Sequence, residues 1–223
     1  MIALVPWKGL QNGKSRLSSI LDEEARGRLS LWMMERVLGS LRDSRSVKRV
    51  ILISKNPEAG LAAERIGAEM FHETSEHLNG ALNEAAQSLV ARNSGSEPGT
   101  HQKILIVPAD LPLLTPTEVD ELAALSEEAS PCVVAAPSRR GEGTNALLLH
   151  PPDILTPAFG PDSFNRHCAI AEGLGIRFLS CRSTGTGLDI DLPEDLEALR
   201  GSLPSADRDA LAALLSQGPV VSK

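Results

Sequence analysis

The sequence predicts an α/β fold, a mostly parallel sheet with helices on both faces. Two observations carry that prediction. Apolar runs of strand length alternate along the chain with longer amphipathic segments, the order expected of strand and crossover helix. The length of 223 residues, with 42% hydrophobic and 23% charged residues, suits one globular α/β domain with a sizeable core.

The elements follow in order. Residues 2–5 form the first apolar run, and residues 22–41 read as a helix whose Leu29, Trp32, Met33, Val37 and Leu41 recur at three- and four-residue steps and face the core. Trp32 and Met33 could equally serve the face of a homodimer. A strand at 49–54 and a helix at 57–66 precede a strand at 68–72 and a helix at 79–91. A Gly/Ser/Pro loop at 92–101 leads to strand 103–107, then helix 116–125. Strands at 132–136 and 145–150, helix 163–174, strand 176–180 and helix 193–199 complete the pattern. The segment 201–209 punctuates it, so residues 1–203 are expected to form the single domain and 204–223 to add one short helix, 205–215, and a frayed end.

Composition narrows the function. A net charge of −7 disfavours nucleic acid and acidic membrane surfaces, and 3% aromatic residues with no tyrosine leaves no stacking platform for single strands. Cys132, Cys168 and Cys181 are odd in number and widely spaced, which reads as free thiols in a reducing compartment. The opening run is interrupted at Lys8, too short for a signal peptide or membrane span, so a cytoplasmic location is expected.

Three stretches could carry chemistry in such a fold, where ligands gather at the carboxyl ends of the strands. The first is VPWKGLQNGKSRL, residues 5–17, in which only three residues separate Gly9 from Gly13-Lys14-Ser15. A phosphate-gripping P-loop needs four. The next helix starts naturally at Asp22, well after Lys14, so Lys8, Lys14 and Arg16 read either as a flexible basic strap offering charge to a triphosphate or as a solvated loop. The second is ILIVPADLPLL, residues 104–114, where Asp110 leaves a buried strand. That carboxylate suits a hard cation such as Mg²⁺, or merely caps a turn. The third is GLDIDLPEDLEAL, residues 187–199. If extended, Asp189 and Asp191 share a face and repel unless a cation lies between them or one is protonated; alternatively Asp191 caps the helix near Pro193. Together the basic groups and Asp110, Asp189 and Asp191 make a metal-assisted triphosphate site.

The motifs KSRL (14–17), LNGALN (78–83), VPADLPLL (107–114), GTNALLL (143–149), FGPDSFNRH (159–167) and LDIDLPEDL (188–196) resemble the guanylyltransferases of coenzyme F-420 biosynthesis. These are relatives of the molybdenum-cofactor guanylyltransferases and sugar-nucleotide pyrophosphorylases. The resemblance runs from residue 1 to about 200. It implies a Rossmann-like nucleotide-diphospho-sugar transferase fold and transfer of GMP from GTP to a phosphorylated three-carbon acid (2-phospho-L-lactate, phosphoenolpyruvate or 3-phospho-D-glycerate), with pyrophosphate released. It implies Mg²⁺ on Asp110, Asp189 and Asp191, and acceptor binding by Thr144, Gly160 and Ser163. Thr144 and Ser163 offer hydroxyl donors, Gly160 admits close backbone approach, and Ser163 opens a helix whose N–H groups favour an anion. Asn79 and Asn83 are the expected contacts to base or ribose, with Lys8 or Lys14 on the phosphates.

The implied reaction needs no nucleophilic side chain, because the acceptor phosphate is already an anion. Lys14 and Arg16 would stabilise departing pyrophosphate. Two rivals stand beside this reading: a P-loop-like kinase or NTPase with a shortened glycine loop, and a non-catalytic GTP-binding sensor.

Overall fold

A computed structural model describes residues 1–10, 14–56, 58–92 and 103–216. The strands are β1 (Ile2–Pro6), β2 (Arg49–Ser54), β3 (Glu69–His72), β4 (Ile104–Ile106), β5 (Cys132–Pro137), β6 (Thr144–His150) and β7 (Arg177–Ser180). All seven apolar runs become strands of one sheet, in the order β3-β2-β1-β4-β6-β5-β7. The helices are α1 (Glu23–Asp43), α2 (Glu58–Ile66), α3 (Leu78–Arg92), α4 (Pro116–Glu127), α5 (Ser163–Gly173), the short α6 (Thr184–Gly187), α7 (Pro193–Ser202) and α8 (Ser205–Ser216). The start expected at Pro57 and the loop at 93–101 lie outside the described residues.

Strand alternation distributes the helices. Ala3 and Val5 of β1 pack with Val37 and Leu38 of α1, Ala59 and Ala63 of α2 and Leu122 of α4, whereas Ile2 and Leu4 pack with Leu82 and Ala85 of α3 and Ala171 of α5. Helices therefore cover both faces. Fully burying one of these leucines contributes about 2 kcal/mol, so the two clusters dominate the stability. A third cluster joins Leu29 and Met33 of α1 to Ile190, Leu196 and Leu211, which seats α7 and α8 against the first helix.

Trp32 departs from the expected stripe. Leu29, Met33, Val37 and Leu41 are buried, but Trp32 is only half-buried and carries the Arg36 guanidinium 5.0 Å from its ring centre. A helix stripe wide enough for both i+3 and i+4 positions puts its flank at the water boundary, where a cation on the ring face is favourable.

One feature of topology positions the site. β6 runs antiparallel to both β4 and β5, while the neighbouring pairs β1·β2, β1·β4, β2·β3 and β5·β7 are parallel. Its amino end, Thr144 and Asn145, therefore lies at the same sheet edge as the carboxyl ends of β1 and β4.

Candidate active site

The segments following β1 and β4 meet the start of β6 and the 187–192 segment around one cleft of about 410 Å³. That is room for a small-molecule ligand. Lys8, Lys14, Arg16, Asp110, Thr144, Gly160, Ser163, Asp189 and Asp191 all line it. Residues widely separated in sequence thus reach one pocket.

Residues 14–17 of the opening loop form a defined turn. Lys14 adopts a left-handed conformation (φ 57°) ahead of a 3-10 turn, Ser15–Leu17, whose Leu17 is fully buried against Leu29, Met33 and Ile190. Pinning by Leu17 turns Lys14 inward. Its Nζ donates to Asp110 Oδ2 at 2.5 Å and to Asp191 Oδ1 at 2.9 Å, and the side chain is 10% exposed. Burial opposes the ammonium charge, but the Asp110 and Asp191 carboxylates outweigh it and hold the lysine above its ordinary value. Arg16 remains largely exposed, with Nη1 3.9 Å from Asp191 Oδ2, and Lys8 is exposed at the cleft rim. Gly9 (φ 89°) is required where it stands, since a Cβ would collide with the Asn56 amide.

The 187–192 segment is extended where it passes Asp110, with Ile190 N donating to Asp110 O at 3.2 Å. Ile190 is fully buried in the third cluster while Asp189 and Asp191 face the cleft, as the two-residue period demands. Neither carboxylate serves as a cap. That task falls to Asp195, fully buried, whose Oδ2 accepts from the N–H groups of Asp191 (3.2 Å) and Leu192 (2.8 Å). Its Oδ1 accepts from Arg139 at 2.9 Å and Arg140 at 2.8 Å. Asp195→Ala would leave two amides and two guanidiniums short of a partner and is expected to destabilise the fold by about 2–4 kcal/mol, measured by urea unfolding.

Burial raises Asp189 above the usual carboxylate range; a hydrogen bond from Asn145 opposes this, while the nearby charges of Asp110 and Asp191 add to it. Burial also works on Asp191, but Lys14 outweighs it, with Arg16 and Arg140 adding, and holds that carboxyl below its usual value. Sequence reasoning did not single out Asn145. Its Nδ2 donates to Asp189 Oδ1 at 3.1 Å and to Gly187 O at 3.3 Å, fixing the carboxylate at the cleft wall. The signal available was a lone amide inside the apolar run of β6.

Among the described residues no three acidic, histidine or cysteine groups converge as a ready ligand set. The Lys14 ammonium lies between Asp110 and Asp191. A hard dication still fits the donors. Asp110 Oδ1 is buried without a hydrogen-bond partner, an orphaned anionic oxygen beside Asp189, and Mg²⁺ takes one or two protein carboxylates with the rest of its shell from water and phosphate.

Across the cleft, Thr144 and Ser163 are buried and linked, Thr144 N donating to Ser163 Oγ at 2.9 Å. Gly160 (φ 130°) is exposed, in a conformation that other residues rarely adopt. The first amides of α5 are not free for an anion, contrary to expectation. Ser163 N donates to Gly160 O at 3.2 Å and Phe164 N to Glu142 O at 3.0 Å. Asn79 also differs from its expected role. It holds the Phe159 backbone on both sides, Nδ2 to Phe159 O at 3.0 Å and Phe159 N to Oδ1 at 2.8 Å, which makes it a brace for the 159–160 loop. Asn83 is half-buried on α3 and does not line the cleft, because the helix turns Leu78 and Leu82 toward it instead.

His167, fully buried one turn after Ser163, was likewise not singled out; its i+4 spacing from Ser163 was the signal. Burial, helped by Arg166, pushes it down to about 4 from 6.5. Between those values the unfolded chain takes up a proton that the folded chain refuses, so this group's stabilisation is complete above pH 6.5 and is lost as pH falls toward 4. Urea unfolding at pH 7 and pH 4.5 should show wild type losing ~2–3 kcal/mol more than His167→Asn.

The cleft at the carboxyl ends of the strands is built on a fold found in solved structures. A structure from Desulfovibrio desulfuricans assigned as a nucleotide-diphospho-sugar transferase superposes with a TM-score of 0.74 at 13% identity, covering 96% of this chain and 93% of the other. A cytidylyltransferase from Leptospira borgpetersenii superposes at 0.60 with 11% identity and 99% of both chains.

The family is narrower. Residues 1–202 match the family model described as "Guanylyl transferase CofC like", and the chain belongs to that family. The phosphoenolpyruvate guanylyltransferase of Rubrobacter xylanophilus is 37% identical over 202 residues, covering 91% of this chain and 94% of that one. The enzyme of the same name from Sphaerobacter thermophilus is 39% identical over 203 residues, with the same coverage. The chain is thus an enzyme, a nucleotidyltransferase of the guanylyl-transferring kind. No helix among the described residues is long and apolar enough to cross a membrane.

Proposed function

We propose that this enzyme transfers GMP from GTP to phosphoenolpyruvate, releasing pyrophosphate, as a step in coenzyme F-420 biosynthesis. The single observation that carries the reading is the division of one cleft into a charged wall, Lys14 with Asp110, Asp189 and Asp191, and a hydroxyl corner, Thr144 and Ser163. The charged wall suits a triphosphate and the corner an anionic acceptor. The names of the relatives favour phosphoenolpyruvate over 2-phospho-L-lactate and 3-phospho-D-glycerate.

An oxygen of the acceptor phosphate attacks the α-phosphorus of GTP. A new oxygen–phosphorus bond forms, the bond from the α-phosphorus to the bridging oxygen breaks, and pyrophosphate leaves with that electron pair. Asp110 and Asp189, with Asp191 beside them, would hold Mg²⁺, which when bound would neutralise charge on the phosphate oxygens. Lys14 moves from its carboxylates to the departing pyrophosphate, and Arg16 adds charge from the rim. Thr144 and Ser163 hold the acceptor in line with the leaving pyrophosphate.

The test is incubation with GTP, Mg²⁺ and each of the three acids, following pyrophosphate and product mass. Phosphoenolpyruvate is expected to give a guanosine diphosphate ester of enolpyruvate at the highest kcat/KM. Release of GDP with a phosphorylated product would instead identify a kinase, and binding of GTP without acceptor-dependent pyrophosphate would identify a sensor.

A further inference from the structure

We propose that His167 is a positioning residue which sets the Thr144 hydroxyl as a hydrogen-bond donor to the acceptor, an inference that rests on the acceptor corner described above. The geometry fixes the tautomer. Ala158 N donates to His167 Nε2 at 2.9 Å, so that nitrogen carries a lone pair and, in the neutral ring, the hydrogen is on Nδ1. Nδ1 is 3.0 Å from Thr144 Oγ1, which must then accept. The hydrogen of Thr144 is left to point elsewhere, and Thr144 lines the cleft. Ser163 Oγ likewise accepts from the Thr144 amide and keeps its own hydrogen free.

Each hydroxyl oxygen accepts one internal hydrogen bond, which leaves its own hydrogen free to be donated, and two such donors side by side suit an anion. The imidazole is well held for this work. It is fully buried, and its ring meets Phe159 edge to face, with centroids 5.3 Å apart. The depressed pKa keeps the ring neutral, so that Nε2 stays an acceptor at physiological pH. Protonation would place an Nε2–H donor against the Ala158 N–H donor and remove the hydrogen bond that holds the 158–160 loop.

Two measurements test this. Nitrogen-15 NMR of the imidazole should show Nδ1 protonated and Nε2 bare at neutral pH; a protonated Nε2 would overturn the assignment, whatever the acceptor proves to be. In steady-state assays His167→Phe should raise the acceptor KM about tenfold while the GTP KM stays within about twofold, and His167→Asn, which keeps an N–H near Nδ1, should recover most of the loss. In a Thr144→Val background, His167→Phe should add almost nothing further, since its effect travels through a hydroxyl already removed. Equal factors in both backgrounds would refute the proposal. If His167→Phe does not fold, His167→Gln, whose amide reaches the Nε2 side, replaces it in the same cycle. Should wild type accept none of the three acids, the functional reading fails while the tautomer still decides His167, Nδ1–H supporting the proposal and Nε2–H overturning it.

Discussion

Lys14→Met is expected to lower kcat by ~10²- to 10³-fold, a loss of about 3–4 kcal/mol of transition-state stabilisation. The ammonium is the one buried cation on the charged wall of the cleft among the described residues, 10% exposed and bonded to Asp110 and Asp191. It neutralises those carboxylates, and in the proposed mechanism it is the group that would meet charge developing on pyrophosphate. Arg16 cannot replace it, being 70% exposed and 3.9 Å from its nearest carboxylate. The same substitution should destabilise the free protein by about 1–3 kcal/mol, less than for a fully buried pair because the partners are 25% and 40% exposed. Pyrophosphate release and urea unfolding measure the two effects. Turnover within a few-fold of wild type would remove Lys14 from the mechanism.

Asp189→Asn should separate activity from stability in the opposite sense. Turnover is expected to fall ~10²-fold, about 3 kcal/mol, because the carboxylate beside the orphaned Asp110 oxygen is lost. The fold should not suffer. Burial holds the Asp189 carboxyl above its usual value, so the folded state prefers it protonated and the group's favourable contribution, present at low pH, disappears as pH rises through the folded pKa. At neutral pH the wild-type carboxylate is therefore a strain on the fold that asparagine relieves. Unfolding in urea should find the variant as stable as wild type or more stable at pH 7.5, with a smaller advantage at pH 4. Sites that hold unfavourable charge for function show this trade between activity and stability. A variant both destabilised and fully active would contradict both parts of the argument.

How much of this was legible follows from which forces act locally. The strands could be read because an apolar run of strand length is a local signal, and Asp22 could be read as the start of α1 because it accepts from Ala25 N at 2.7 Å, a purely local cap. The shared face of Asp189 and Asp191 followed from strand period alone. The reversal of β6 did not, since direction is decided by pairing with β4 and β5 across long sequence separations. Looking only just after each run therefore passed over Asn145, which sits at the start of a strand running the other way. Lys14 was a candidate phosphate contact, but its union with Asp110 and Asp191 depends on Leu17 anchoring a turn in a cluster built from α1, α7 and α8. Asn79 looked like a base contact because an amide suits guanine; the Phe159 backbone, 80 residues away, uses it as a brace. Asp195 and His167 escaped notice for a related reason. A buried polar residue shows its purpose only once its partners from other elements are in place.

The most direct test of the central claim, that one cleft brings GTP, a divalent cation and the aspartates together beside Lys14, is a crystal structure with GTP and Mn²⁺ using the anomalous signal of manganese. The account predicts an anomalous peak within coordination distance of Asp110 and of Asp189 or Asp191, touching triphosphate oxygens, with Lys14 Nζ moved onto a phosphate. Nucleotide and metal bound elsewhere, with Lys14 still bridging Asp110 and Asp191, would contradict it.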